Sequence, residues 1–490
     1  MTTLDTLLMI EATVSGNAQQ RAGVRHRHLD AAPLVIVAYR LAGEAGAPLG
    51  VMFGTSPTDS TLLVAPEPRN REMRFREVFN PLAVAVSEWL MSFTEREEPS
   101  ARKPNRTPPC KTAPQILVPN HSSLDFVGSV LGRSLRYLRS SDDFVIPDET
   151  VLLGAHASWF AQQAEVPGSC VLVAATDLLR RHWASGQSNV EDEDLHVLLS
   201  WIDPPSGELG KSAANSMEES RANGTIPAIG PTPDASWDRD ELEGVLSEFN
   251  TQRAGDASAE VVDRLGGPVR GAVGDALSIS WMATWRAHGL LNALEPGRSV
   301  AERWASDRQA WSSHLSRVEQ GRAYFRTHDS ARQSAWMIKS REDAQQALDL
   351  GEALDDPLVF AGLMSSGDAI LGRVVEVDTS NMEMGPSGRR RVRRPLIHVE
   401  LTEPCALSPG STLRWTEEVS RFESELVAVD GARVVVKVTK GMNGQLPAEA
   451  SMAGFVTLSA NSYPAPSAPA DTPWTHVGAS TPEPDTEVPE

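Results

Sequence analysis

Six short runs of β-branched and apolar residues lie close together in the C-terminal part of the chain, and they restrict its fold more than any other feature. Glycine, proline, asparagine and aspartate separate the runs, and Asp430-Gly431 suits a tight hairpin because both residue types tolerate a positive φ. This pattern predicts a small β-barrel of the SH3 or oligonucleotide-binding type over residues 366–459. The runs are 370–377, 395–401, 411–416, 425–429, 433–438 and 454–458.

The rest of the chain predicts a multidomain α+β protein. With 490 residues, of which 41% are apolar, the chain is long enough to form several cores. Strand-like runs precede an amphipathic helix that ends near Glu95, which predicts a small sheet packed with helices. The predicted order is an α+β N-terminal domain (1–96), a proline-rich linker (97–114), a mainly helical α/β domain (115–204), a mobile loop (205–236), a helical region with a stalk hairpin (237–365), the barrel (366–459) and a disordered acidic tail (460–490).

Large apolar residues at seven-residue intervals mark the predicted stalk. Trp304, Trp311, Val318 and Phe325 share this spacing, which predicts one long amphipathic helix. A second helical stretch over 336–350 can return antiparallel to it and form a helical hairpin. Four apolar positions are too few to require a coiled-coil dimer.

The formal net charge of −20 argues against a protein that binds nucleic acid over its whole surface, because such a field repels phosphate. The charge is unevenly distributed. Residues 367–459 contain eleven basic and twelve acidic residues, so the barrel is close to neutral while the other segments supply the acidity. Any contact with nucleic acid is therefore expected to be local.

An arginine run lies within the predicted barrel, after Gly385-Pro386-Ser387-Gly388 and before a strand. A flexible loop with five guanidinium groups can make bidentate contacts with backbone phosphates, and Trp415 on a barrel strand can offer a surface on which bases stack. The alternatives are a loop that binds an acidic protein face and a loop that is only solvated. The predicted nucleic-acid-binding residues are Arg389, Arg390, Arg391, Arg393, Arg394 and Trp415.

Catalytic signatures are mostly missing, since the sequence has no P-loop, no G-x-S-x-G elbow and no H-E-x-x-H helix. One acidic stretch suggests an alternative, a metal-dependent enzyme. Its carboxylates can hold Mg²⁺ or Mn²⁺ if at least three of them converge, whereas a solvated first turn of a helix explains them without a ligand. Asp203, Glu208 and Lys211 resemble a loosened nuclease pattern in an unsuitable loop. The metal candidates are Glu191, Asp192, Asp194, His196 and Asp203.

A second basic segment precedes the first strand of the N-terminal domain. Arg25, His26, Arg27 and His28 alternate there, and two histidines on one face of a strand can bind one metal ion. Spacing indicates no third ligand. An exposed polar turn is therefore the favoured interpretation, and we expect neither a metal nor another cofactor.

Cysteine usage and hydropathy indicate the compartment. Cys110, Cys170 and Cys405 lie far apart, so neither a disulfide framework nor a cysteine zinc site is predicted. The first residues lack a basic region, and the chain has no apolar run of membrane-spanning length. We expect a cytoplasmic protein without a membrane partner. Its 39 arginines against six lysines are typical of a GC-rich bacterial genome.

The order of stalk helices and barrel over 297–459 resembles the auxiliary stalk and small β-barrel of some superfamily 1 nucleic-acid helicases. The resemblance rests on the helix from Trp304 to Phe325, the return helix to Leu350 and the barrel with its arginine loop. No helicase ATP-binding motif is present, so the resemblance implies no ATPase residues. It implies a role beside such a machine.

These observations lead to one hypothesis and two alternatives. The hypothesis is a non-catalytic accessory subunit of a bacterial helicase or nuclease in DNA repair or antiviral (phage) defence, which contacts DNA or RNA through the barrel loop. The first alternative is a metal-dependent hydrolase or nuclease that uses the acidic residues of 191–203. The second is a protein-interaction scaffold without a nucleic-acid role.

Overall fold

The protein combines helices, an open sheet and a closed barrel in the computed structural model. The structure describes residues 3–41, 46–98, 107–141, 144–231, 235–253, 259–323, 330–385, 390–441 and 445–458. One large hydrophobic core joins residues 29–315, and a second core fills the barrel. The predicted mixed α+β class and the closed C-terminal barrel are confirmed. Within the described ranges, no helix combines the length and apolar character needed to cross a membrane.

The first half of the chain is built on an open sheet. We call this half, together with the helices that cover the sheet, the body. Its elements are α1 (Thr3–Ser15), β1 (Gln19–Gln20), β2 (Leu34–Arg40), β3 (Pro48–Ser56), β4 (Asp59–Val64), α2 (Arg71–Arg74), which continues through a π-helical turn (Phe75–Phe79) into α3 (Asn80–Met91), β5 (Ile116–Val118), α4 (His121–Asp125) with a π-helical segment (Phe126–Arg133), α5 (Asp148–Ala164), β6 (Leu172–Ala174), α6 (Ala175–His182) and β7 (Trp183–Ala184).

The body sheet has the strand order β4-β3-β2-β5-β6. Strands β2, β3 and β4 are antiparallel neighbours, whereas β2 pairs in parallel with β5, and β5 with β6. Parallel pairing needs a crossover, and the helix from α2 to α3 supplies it. Residues 1–96 and 115–204 therefore share one sheet and one core. The described part of the predicted linker attaches to that core, because Cys110 and Ala113 are fully buried.

The helical part of the body follows the sheet, and it contains a helix where a mobile loop is predicted. Helix α8 lies inside 205–236 and buries Ala213 and Ala214, the second of which packs beside Trp201. Small residues contribute little to an apolar pattern, which explains why composition suggests a loop. The elements are α7 (Leu195–Ile202), α8 (Gly210–Ala222), α9 (Ala235–Trp237), a π-helical turn (Asp238–Leu242), α10 (Glu243–Arg253), α11 (Ala259–Asn292), α12 (Val300–Glu319), α13 (Ala331–Asp355) and α14 (Pro357–Ser366).

Helix α12 packs against the body and does not project as a stalk. Trp311 is fully buried, its ring lies 5.4 Å from that of Trp159, and its Nε1 donates to the Phe93 carbonyl at 2.9 Å. Helix α13 is also attached to the body, through an ion pair between its Glu352 and Arg181 of α6. The seven-residue spacing thus marks a helix face buried in a core. Phe325 lies outside the described residues.

Eight strands form the C-terminal region. Six of them close a barrel in the order β11-β14-β13-β12-β15-β8, and every neighbouring pair is antiparallel. The other two form a separate hairpin between β8 and β11. The strands are β8 (Ala369–Asp378), β9 (Met382–Met384), β10 (Arg391–Arg393), β11 (Leu396–Leu401), β12 (Thr412–Trp415), β13 (Glu423–Asp430), β14 (Arg433–Lys440) and β15 (Met452–Val456). The predicted disordered tail (460–490) lies outside the described residues.

Candidate nucleic-acid interface

The arginine run forms one strand of the hairpin β9–β10, which we call the arm. Arg391 pairs with Met384 and Arg393 with Met382, so these four side chains share one face because side chains alternate along a strand. The methionines are 59% and 41% exposed, and both arginines are exposed. The arm thus presents a face on which cationic and apolar groups adjoin. Regular pairing replaces the flexible loop that the sequence predicts.

The arginines of this face bond only to backbone carbonyls. Arg391 donates to the Met382 oxygen at 3.3 Å, and Arg393 donates to the Thr379 oxygen at 2.8 Å. Arg390 is exposed at the start of β10. Across the part of the chain that the structure describes, no carboxylate lies within ion-pair distance of Arg390, Arg391 or Arg393. Their positive charge is therefore uncompensated.

The opposite face of the arm is tied to the barrel. Glu383 alternates with the two methionines, and its carboxylate lies 3.4 Å from the ammonium group of Lys437 on β14. The same ammonium group lies 3.2 Å from Glu425 on β13. This bridge holds the back of the arm against the barrel, so the arginine face points outward.

Two of the predicted arginines do not belong to the exposed face. Arg394 is half-buried, its backbone NH donates to Asn381 at 3.0 Å, and its guanidinium donates to the Thr439 carbonyl. It therefore anchors the base of the arm to β14. Arg389 lies outside the described residues. The predicted group of five is reduced to three exposed arginines.

The prediction that Trp415 stacks on bases is contradicted by its burial. Trp415 is 4% exposed and packs in the barrel core, with its ring 6.0 Å from that of Phe422. A base cannot reach a ring that other side chains enclose. The exposed apolar groups are instead Met382 and Met384. The Met-x-Met and Arg-x-Arg alternation was the sequence signal for a shared face, and the sequence interpretation overlooked it.

The acidic residues of 191–203 do not converge on one point. Asp192 is buried and accepts from Ser185 at 2.6 Å, and this burial raises the pKa of its carboxyl. Asp203 pairs with Arg286 at 2.7 Å on another surface. Among the described residues, no three histidine, cysteine, aspartate or glutamate side chains are placed to hold a metal ion. The convergence that a metal-dependent hydrolase requires is not seen there.

A cavity of about 900 Å³ lies beyond the C-terminal end of β5, and Glu191, Glu193 and Asp194 line it. Each carboxylate already has partners. Glu193 lies 3.0 Å from Arg180, and Asp194 pairs with Arg221 while its Oδ1 accepts from two NH groups at the start of α7. Hydrogen bonds from Ser188 lower the pKa of Glu191.

The remaining members of the acidic candidate set are likewise dispersed. Half-buried His196 has no hydrogen-bond partner at Nδ1 among the described residues, and burial lowers its pKa. Glu208 and Lys211 are exposed. Of the acids that line the cavity, Glu193 and Asp194 are paired with arginines and Glu191 accepts a hydrogen bond from Ser188, which leaves the arm as the best-supported candidate site.

The basic segment before β2 is buried, contrary to the exposed turn that its composition favours. Arg25, His26 and Arg27 are 9%, 1% and 8% exposed. His28 stacks on Trp304 with the ring centres 3.9 Å apart, whereas His26 lies beside His182. Because the two histidines face different neighbours, they do not form one metal site.

Comparison with known proteins gives no relative: no family model, no curated protein and no solved structure matches this chain. The resemblance to the stalk and barrel of superfamily 1 helicases stays a prediction. The geometry of the described residues therefore carries the functional argument.

Proposed function

We propose that the chain is an accessory protein that binds the phosphate backbone of DNA or RNA through the arm. The observation that carries this proposal is the exposed, uncompensated charge of Arg390, Arg391 and Arg393 on a chain whose net charge is −20. An acidic protein that keeps three arginines free of carboxylates concentrates its attraction for anions at one place.

The arm face has the chemistry that a nucleic-acid backbone needs. Guanidinium groups bind phosphate oxygens in a bidentate manner, and they do so without reading the base sequence. Arg391 and Arg393 stand two residues apart on one strand, about 7 Å, which lets them reach neighbouring phosphates. Met382 and Met384 lie beside them and can pack against sugars or bases, because the methionine side chain adapts its shape.

The barrel supports the same proposal. We assign it to the SH3 or oligonucleotide-binding type, in which connecting segments commonly form the nucleic-acid contact. The arm connects β8 to β11 and occupies such a position. The acidic body disfavours non-specific contacts elsewhere and can bind a basic surface of a helicase or nuclease partner. We place this activity in the cytoplasm, in DNA repair or antiviral defence.

The test is fluorescence anisotropy with labelled single-stranded DNA, double-stranded DNA and RNA, measured from low to moderate salt. Replacing Arg391 and Arg393 together by glutamine should weaken binding about tenfold or more and reduce the salt slope by about two. The matched control is the double glutamine variant of Arg373 and Arg433, two exposed arginines on the barrel wall away from the arm.

The control variant should bind like the wild type. Absence of binding to all three nucleic acids at low salt would refute the proposal. Equal weakening by the arm and control variants would also refute it, since the attraction would then come from overall charge.

A further inference from the structure

The arm is a two-stranded antiparallel ribbon that stands apart from the barrel sheet. Among the described residues, β9 and β10 pair only with each other, whereas the other six strands of the C-terminal region close the barrel. Glu383 binds Lys437 on the barrel side, so one face of the ribbon is covered and the arginine face is free. A ribbon of this kind can lie flat against the floor of a groove.

The hydrogen bonds of the ribbon fix where the groups of the arginine face point. The Gly385 NH donates to the Arg390 carbonyl at 2.9 Å, so these two residues form a hydrogen-bonded pair. Because such pairs alternate with non-hydrogen-bonded pairs between antiparallel strands, all four residues of the arginine face belong to non-hydrogen-bonded pairs. Their side chains lie close together across the ribbon, and their backbone NH groups point outward along its two edges. The pairs are Met384–Arg391 and Met382–Arg393.

The dimensions of the ribbon match the major groove of B-form DNA. Paired strands lie about 4.8 Å apart, and the groove, about 12 Å wide, admits a two-stranded ribbon. The rise per residue, about 3.4 Å, equals the spacing of nucleotides along one DNA strand, also about 3.4 Å. Arg391 and Arg393 can therefore meet base pairs two steps apart. The major groove of an RNA duplex is deep and narrow, and side chains cannot read it.

The chemistry of the arginine face also suits the base edges in the major groove. A guanidinium group donates two hydrogen bonds to O6 and N7 of guanine, which is the commonest specific contact in DNA complexes. Methionine side chains can pack against the methyl group of thymine. Arg390 and the outward backbone NH groups can bind the phosphates on either side of the groove.

Single-stranded nucleic acid is a poorer fit, because the barrel region offers no ring on which bases can stack. Proteins that bind single strands combine positive charge with exposed aromatic side chains. The three aromatic residues of 367–458 are 4%, 1% and 0% exposed and belong to the barrel core. They are Trp415, Phe422 and Phe455.

We propose that the arm enters the major groove of double-stranded DNA, where Arg391 and Arg393 contact guanine edges. This inference rests on the proposed function and names its substrate class. Phosphate contacts attract the duplex, and seating of the ribbon in the groove then brings the guanidinium groups to the bases. Binding should depend on guanine N7, which faces the major groove, and not on the guanine amino group, which faces the minor groove.

The test is fluorescence anisotropy of the full chain with a DNA duplex of about 20 alternating G·C and T·A pairs, its separate strands and the RNA duplex of the same sequence. The DNA duplex should bind about fivefold more tightly than the other probes, or better. Replacing guanine by 7-deazaguanine, which lacks the N7 acceptor, should weaken binding about fivefold. Replacing guanine by hypoxanthine, which lacks the minor-groove amino group, should leave the affinity unchanged.

Lysine variants test whether the arm makes the contact with guanine. Arg391→Lys combined with Arg393→Lys keeps the charge but removes the planar fork, so this variant should bind the ordinary and the 7-deazaguanine duplex equally. The matched control is Arg373→Lys combined with Arg433→Lys, on the exposed barrel wall. It should keep the wild-type difference between the two duplexes.

The outcomes separate this inference from the proposed function. Equal or tighter binding to single strands or to the RNA duplex would overturn the inference and leave the proposed function standing. The same holds if hypoxanthine weakens binding while 7-deazaguanine does not, or if the arm lysine variant still distinguishes the two duplexes. Absence of binding to every probe would overturn both.

Discussion

The two basic segments of this chain are both rich in arginine but have opposite surroundings. In the segment 21–28, Arg25, His26 and Arg27 are buried before β2, where Arg303 donates to the His26 carbonyl at 2.6 Å. The arm, whose strands span 382–384 and 391–393, exposes Arg391 and Arg393 and bonds them to backbone carbonyls of its own neighbourhood. The first segment is therefore part of the protein interior, and the second is a surface that is free to meet a ligand.

The difference teaches that a run of basic residues does not by itself determine whether its side chains are buried or exposed. His182, Arg303 and Asp356 enclose the first segment, and all three lie far from it in the sequence. The arm has no such cover among the described residues. Substitutions can test this contrast. They should lower the free energy of unfolding strongly at the buried segment and change it little at the arm.

The largest expected effect is at Asp356, which holds the buried segment. Its carboxylate accepts from the backbone of Gly23 at 2.5 Å and Val24 at 3.2 Å, and it also caps α14 by accepting from Leu358. Asp356→Ala should lower the free energy of unfolding by about 2–4 kcal/mol, because a buried cap and two further hydrogen bonds are lost. Urea unfolding of the full chain measures this.

Ser330→Ala is the matched control for that variant. Ser330 caps α13 and accepts a single hydrogen bond, from Gln333, so its removal should cost about 1 kcal/mol. If the two variants cost the same, Asp356 acts as a helix cap and does not hold the buried segment.

The next effect is a pH dependence of stability that comes from buried histidines. Burial lowers the pKa of His28 and of His182 to about 4, and Arg181 and His26 also disfavour the charged form of His182. In the unfolded chain both titrate near 6.5, so the unfolded state binds protons first as pH falls. Stability should therefore be full above about pH 6.5 and decrease toward pH 4.

His182 is fully buried, and it should account for about 2 kcal/mol of this loss at pH 5. The measurement is urea unfolding at pH 7 and pH 5 for the wild type and His182→Gln. The variant should lose less stability than the wild type between these pH values. Parallel losses would show that the histidine is accessible to protons in the folded state.

The barrel could be predicted from the sequence because its order is mostly local. Strands β12, β13 and β14 follow one another along the chain and pair in that order, and Gly431 with a φ of 58° makes the tight turn that Asp430-Gly431 indicates. The body sheet has no such signal. Leu34 on β2 pairs with Ile116 on β5, and no local pattern specifies a partner so distant.

The candidate site was predicted in part for the same reason. The run of arginines drew attention to the arm, but strand pairing decides that Arg391 and Arg393 share a face while Arg394 turns back to Thr439. The sequence places Trp415 on a strand but does not decide whether its side chain faces the barrel core or the solvent. Closure of the barrel places it inside. Burial of Arg27 depends on α6 and α13, which the sequence does not connect to it.

The smallest expected effects distinguish the residues of the arm from one another. Arg394→Ala should lower the free energy of unfolding by about 1 kcal/mol, because its guanidinium anchors the arm to the Thr439 carbonyl. Arg391→Ala should change it by less than about 0.5 kcal/mol, because an exposed side chain with one long hydrogen bond contributes little. Nucleic-acid affinity should show the reverse order, with the larger loss for Arg391→Ala. If Arg391→Ala instead destabilises the chain as much as Arg394→Ala, the arm arginines are structural like those of 21–28, and the contrast between the two segments fails.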